Sequence, residues 1–484
     1  MNPHLAASAL ELARRIRSGD TTSRAAVDAH IEHIQRVDPS LNAIVEERFE
    51  IARKEADEAD AAIAAGTEDL PPLHGVPCTI KESFAVPGFR QTSGLVSRRD
   101  FVATEEATAV TRLRRAGAIA LGTTNVSELC MWMETSNKLY GRTNNPYDPR
   151  HIVGGSSGGE GAIVGSGGSP FGLGADIGGS IRMPAFFNGV FGHKATGGLV
   201  PGSGQFPLAE NDALRYLCTG PIARRAEDLM PLLKILAGPD GIDTGCYEMA
   251  IGDPDEVDVS SLEVVDVRGN GFRRVSDDLQ DAQARAAGAL QGSGAKVVRT
   301  RVDTLKRSLD IWASMMANAA ETTFAELMGD GEPIKGGREL LRWAARRSQH
   351  TLPAIGLALL EHGAGLMPGR TERFVAKGKE LQAELEELIG PNGVLLYPSY
   401  TSAAPRHHAP LLPPFNWVYT AIFNVAELPV TQVPLGLNEK GLPVGVQVAS
   451  VRGNDHVTIA VARYLEEVFG GWVPPPRLFD RVPA

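Results

Sequence analysis

Apolar positions along the first part of the chain keep changing period. In "TSRAAVDAHIEHIQRVD", starting at Thr22, they recur every three or four residues, which predicts an amphipathic helix capped by Thr22. "LNAIVEE" then reads as a strand and "EIARKEADEADAAIAAG" as a charged helix ending on glycine. The short apolar run "VPCTIK", Val76 to Lys81, predicts a strand that finishes on a lysine, and "ATAVTRLRRAGAIALGTTN" predicts helix, glycine stop and strand. Helices follow over "RRAEDLMPLLKILAG" and "DDLQDAQARAAGALQGSG", a strand at "AKVVRTRV", and long helices at about 305–328 and 371–389. "GVLLYPS" and "LPVGVQVAS" close the chain as strands, with "DHVTIAVARYLEEVFGG" as a helix. This rhythm predicts an α/β fold: one large α/β/α domain over 1–484, with a central mixed, twisted sheet flanked by helices. There is no internal repeat and no linker rich enough in proline, glycine or charge to divide it.

One stretch breaks the rhythm. Residues 154–198 hold sixteen glycines in forty-five positions, a density expected of neither ordinary strand nor ordinary helix. It begins with "GGSSGGE", which fits the Gly-x-Ser-x-Gly nucleophile pattern centred on Ser156 or on Ser157. That pattern requires a hydrophobic strand just before the serine, and "NNPYDPRHIV" is turn-forming instead. A phosphate-binding loop fits no better, because Lys194 sits in "GHKAT" and not after the required glycine. "FGLGAD" lacks the third glycine of a dinucleotide loop.

Composition narrows the chemistry. With 43% apolar residues the chain can bury a large core unaided, and a net charge of −10 offers no field for nucleic acid. The four cysteines show no metal-site spacing and read as reduced thiols. His30 with His33, and His407 with His408, lack supporting ligands, so no metal or other cofactor is called for. "MNPHLAASALELARRIRSGD" predicts an amphipathic helix and not the apolar core of an export signal, and no run approaches a membrane span, so a cytoplasmic protein is expected.

Twenty-four residues beyond Ser156 lies "GADIGGSIRMP". Consecutive backbone N–H groups from Ile177, Gly178, Gly179 and Ser180 at a glycine turn, with a helix starting at Ser180, make an anion-binding nest. With Ser180 as nucleophile, that nest would hold the oxyanion formed at the attacked carbonyl. A serine also needs a base, and a lysine is one only when desolvation keeps it neutral.

The stretch "IVGGSSGGEGAIVGSGGSPFGLGADIGGSIRMPAFFNGVFGHKAT", with "HGVPCTIKES" upstream, resembles the amidase signature family of serine hydrolases. The spacings of 75 residues from Lys81 to Ser156 and 24 from Ser156 to Ser180 agree with it. The resemblance implies Lys81 as base, Ser156 as bridging serine after a cis peptide bond from Gly155, and Ser180 as the acyl-forming nucleophile. It implies supporting roles for Ser157, Asp176 and Arg182, with a core at about 70–225. Flanks such as "ELCMWMETSNKLYGRTNNPYD" and "FNVAELPVTQVPLGLNEKGLPVGVQVAS" resemble the fatty acid amide hydrolase branch, particularly its second vertebrate type. By that analogy Cys130, Met131, Trp132 and Met133 line an acyl pocket, and the substrate is a small-molecule amide, including lipid amides.

Other readings stay open at this point. A general aliphatic or aryl amidase fits the same motif. A tRNA amidotransferase subunit would carry "YGRVS" where this chain has "GGLVPGSGQFP", and an inactive scaffold would not keep all three of Lys81, Ser156 and Ser180. The resemblance thins over 240–390, where Leu340 to Leu366 reads either as a membrane-facing cap or as a packed helix pair within a variable region at about 300–390. Membrane residence is not carried over from those relatives. The sequence leaves pairing with a second copy, peripheral membrane contact and esterase side activity undecided.

Overall fold

The computed structural model describes residues 2–329, 331–364, 368–412 and 414–479. Eleven strands form one sheet. From edge to edge they are Ile44–Glu47, Ala118–Thr124, Val76–Lys81, Phe171–Asp176, Cys218–Ala223, Phe191–Lys194, Val430–Leu437, Pro443–Ala449, Gly393–Tyr397, Glu263–Val267 and Lys296–Thr300. Val76–Lys81 pairs in parallel with both neighbours, and Gly393–Tyr397, Glu263–Val267 and Lys296–Thr300 are mutually parallel. Between these two parallel groups the ladders are antiparallel. The sheet is therefore mixed, as the sequence predicts.

Its central strands are buried along their whole length, which is why they read as short continuous apolar runs instead of alternating ones. Helices supply the cover. Asp455–Phe469 lies on Val430–Leu437, Asp277–Ser293 on Pro443–Ala449, and Arg182–Phe187 contacts both of those strands. The helix Ser23–Leu41 starts at the predicted cap, where the Thr22 side chain accepts from Ala25 N–H.

Two expectations are corrected. The glycine-rich stretch is regular after all: helix Gly158–Gly165, strand Phe171–Asp176, helix Arg182–Phe187 and strand Phe191–Lys194. Burial explains the difference, since from Ile152 to Val200 every residue is buried except Ile177, and glycine permits the close approach that such packing demands. The predicted helix at 305–328 is broken into Ser308–Ala319 and Phe324–Met328. Glu210 captures the N–H groups of Glu321 and Thr322 at 2.8 and 2.9 Å, and Thr323 with Glu326 forms a capping box that starts the second helix.

Candidate active site

The Val76–Lys81 strand lies between two parallel neighbours and delivers Lys81 into the interior at 1% exposure. Its Nζ is 2.8 Å from Ser156 Oγ and 3.4 Å from the Ala175 carbonyl. Burial pushes the lysine below its ordinary value, against the opposing pull of Cys130, Asp176 and Glu160. Burial of this kind favours the neutral amine, and it does so within hydrogen-bond reach of a serine hydroxyl.

Ser156, Ser157 and Ser180 are all buried, and the two serine loops are tied directly, Ser157 N–H donating to Ser180 C=O at 3.2 Å. Ser157 Oγ sits at 3.3 Å from Ala175 O and 3.4 Å from Ala175 N, so it fastens the first loop to the strand that leads into the second. The Gly155–Ser156 peptide is cis. Gly155 also lies against the segment 132–133, where an added Cβ would collide with the Trp132 carbonyl oxygen.

The second loop, Asp176 to Ser180, is held by every one of its carbonyls. Asp176 O accepts from Asn424 Nδ2 at 2.7 Å, Ile177 O from Trp312 Nε1 at 3.0 Å and Gly178 O from Thr420 Oγ1 at 2.8 Å. Gly179 O accepts from Met183 N–H at 2.7 Å, and Ser180 O from Ser157. On the other side of these peptides, Gly179 N–H donates to Asp176 Oδ1 at 2.6 Å. The N–H groups of Ile177, Gly178 and Ser180 have no acceptor among the described residues. The expected four-donor nest is thus three donors and one brace. Gly179 has φ +115°, and an added Cβ there would collide with Thr420 Oγ1. The helix that was expected to start at Ser180 begins two residues later, at Arg182.

Asp176 and Arg182 form a fully buried pair, Nη2 to Oδ1 2.9 Å and Nε to Oδ2 3.0 Å. Burial alone would raise the Asp176 carboxyl, but the Arg182 charge and the hydrogen bonds from Arg182 and Asn424 hold it well below the usual carboxylate range. The remaining guanidinium N–H groups reach Thr420 O at 2.8 Å, Gln447 Oε1 at 2.9 Å and Asn424 Oδ1 at 2.6 Å. Sequence reasoning missed Trp312, Thr420, Asn424 and Gln447. Gln447 did carry a signal as the lone polar residue in the apolar run "PVGVQVA", and Thr420 and Asn424 as buried polar residues within "VYTAIFNV".

Of the predicted acyl-pocket residues, Cys130, Met131 and Trp132 are half-buried and Met133 is buried with its sulfur 3.3 Å from Tyr400 Oη. Leu129 and Cys130 adopt positive φ, which bends this wall. Met131 packs on a satellite apolar cluster of Leu129, Phe324, Met328, Ala354, Ile355 and Ala358. Glu128 accepts from Thr351 N–H at 2.7 Å and lies 2.7 Å from His350 Nδ1, so the helix Leu352–Ala364 is anchored to the wall. Gly365 and Leu366 of the predicted cap lie outside the described residues. His30 and His33 contact the carbonyls of Ala26 and Ser166 in the interior, and His407 bonds Glu134 at 2.8 Å.

A buried lysine thus lies against one serine, whose loop contacts a second serine beside backbone N–H groups that have no acceptor among the described residues. The chain belongs to the amidase family, whose model matches residues 25–459, and is an amide hydrolase acting on carbon–nitrogen bonds. It is 47% identical over 492 residues to fatty-acid amide hydrolase 2-A of Danio rerio, covering 98% of this chain and 91% of that protein. Identity to fatty-acid amide hydrolase 2 of Homo sapiens is 45% over 488 residues, again covering 98% and 91%. Among solved structures, 6-aminohexanoate cyclic dimer hydrolase complexed with substrate matches with a TM-score of 0.80 at 26% identity, covering 98% of this chain and 99% of that one.

Proposed function

We propose that the protein hydrolyses fatty acid amides or N-acyl amines through an acyl-enzyme on Ser180. The observation that carries the reading is the 2.8 Å approach of a desolvated Lys81 Nζ to Ser156 Oγ, beside a loop whose free N–H groups flank Ser180. Neutral Lys81 takes the Ser156 proton as Ser156 takes that of Ser180, whose Oγ attacks the carbonyl carbon. Negative charge on the carbonyl oxygen is met by N–H groups of Ile177, Gly178 and Ser180, with Gly179 bracing the turn. The proton returns through Ser156 to the leaving nitrogen, and the C–N bond breaks. Water then follows the same relay to release the acid.

The names of the relatives support a fatty acyl substrate, and so does the helix Gly336–Ala344. In helix Gly336–Ala344 the one buried residue is Glu339, while Leu340, Leu341 and Trp343 face outward among Arg338, Arg342, Arg346 and Arg347. Leu341 is 74% exposed and Leu360, on the adjoining helix, 61%. Apolar side chains ringed by arginines suit contact with a lipid surface, from which a long-chain amide would pass to the wall at Met131. The test is a rate series over acyl amides of rising chain length, with aryl amides alongside. A maximum at long chains is expected, and a maximum at short or aromatic acyl groups assigns a general amidase. Ser180→Ala is expected to abolish fluorophosphonate labelling; labelling that survives it and vanishes in Ser157→Ala moves the nucleophile.

A further inference from the structure

We infer that Trp312 is a positioning residue for the oxyanion, aiming the Gly178 N–H from outside the glycine-rich core. The inference rests on Ser180 being the acylated serine. A trans peptide is planar, so its N–H points opposite to its carbonyl, and fixing one fixes the other. The 177–178 peptide is fixed by the Trp312 indole N–H, which donates to Ile177 O at 3.0 Å. Its other side is the Gly178 N–H, one of the three donors without an acceptor among the described residues.

The other free donors are aimed differently. Asn424 holds the peptide that presents Ile177 N–H, and main-chain Met183 N–H holds the one that presents Ser180 N–H. Thr420 holds the 178–179 peptide, whose N–H is spent on Asp176. Trp312 alone among these anchors comes from helix Ser308–Ala319, in the region where the family motifs give no guidance. The indole is itself held, edge-on to Trp417 with centroids 4.6 Å apart at 80°. A Cβ built on Gly178 would stand 3.7 Å from both rings, so the two indoles cover that side of the loop.

The experiment measures kcat per fluorophosphonate-titrated site on a long-chain acyl p-nitroanilide for wild type, Trp312→Phe and Trp312→Ala. Phenylalanine keeps a ring and loses the donor. Deleting an oxyanion donor costs about 10² to 10³ in kcat, and misaiming one is expected to cost roughly tenfold in Trp312→Phe, with KM within about twofold. The Ki of a trifluoromethyl ketone, which forms an oxyanion on the nucleophile, is expected to rise by the same factor, while that of the matching alcohol, which has no carbonyl, stays unchanged. Trp312→Ala is expected to lose at least as much per titrated site, and counting sites removes any unfolded fraction. Wild-type kcat in Trp312→Phe, or a fall shared equally by KM and both inhibitors, overturns the inference. If Ser180→Ala still titrates, it is the acyl-enzyme reading that fails; if Ser180→Ala is silent and Trp312→Phe is fully active, only the role of Trp312 fails.

Discussion

Residues 152–200 and helix Gly336–Ala344 invert one another. In the first, polar and charged groups such as Ser156, Ser157, Asp176, Ser180 and Arg182 are buried and Ile177 alone is not. In the second, leucines and a tryptophan are outside and a glutamate is inside. A segment that buries charge must pair each charge, so its geometry is dictated; leaving a buried ion without its partner costs about 3–5 kcal/mol. A segment that leaves leucines exposed keeps an apolar face that no part of the described chain covers.

The sharpest break in this comparison comes from Lys81→Ala. On the proposed mechanism, losing Lys81 is expected to lower kcat/KM by about 10² to 10⁴. Wild-type kcat/KM is then expected to rise with pH through a value below that of free lysine. The variant's profile loses that rise, which a pH series on a soluble amide reads directly.

A pair of glycines tests packing in the two regions. Gly179→Ala places a Cβ against Thr420 at φ +115°, and a loss of about 100-fold in kcat is expected as the donors are displaced. Gly337 has nothing within 4 Å of an added Cβ, so Gly337→Ala is expected to leave kcat unchanged and to stabilise its helix by about 0.5–1 kcal/mol. Activity and thermal melts of the two variants decide it. A smaller effect is expected from Leu341→Glu with Leu360→Glu: KM for an amide presented in lipid vesicles rises by roughly three- to tenfold while that for a water-soluble amide holds.

The smallest effect concerns stability. Glu160 is buried against Thr79 and Thr124, and burial raises its carboxyl to about 8 from 4.5. Between those values the folded chain keeps a proton that the unfolded chain releases, so this group makes stability fall as pH rises. Glu160→Gln is expected to flatten the decline in melting temperature between about pH 5 and 8.

How far all this was legible depends on distance along the chain. "VPCTIK" foretold a strand ending on Lys81, and the family resemblance singled out Ser156 and Ser180, because each lies in a contiguous motif. The glycine-rich strands were hidden because composition signals backbone freedom and says nothing of the neighbours that use it. The break after Ala319 depends on Glu210, and the aim of Gly178 on Trp312, contacts 111 and 135 residues apart for which no local period exists. Asp176 and Arg182 read as structural anchors, yet their partners Thr420, Asn424 and Gln447 were not found, since a polar residue in a buried helix or strand announces a partner without naming it.

The Arg182 clamp also sets an order in time. Its acceptors lie 238, 242 and 265 residues downstream, at Thr420, Asn424 and Gln447. A ribosome that has released the Asp176–Arg182 pair must add another 265 residues before the last group that steadies it, Gln447, exists. Until then the pair lacks the acceptors that fix its place, so the loop between its members is among the last parts of the sheet region to set.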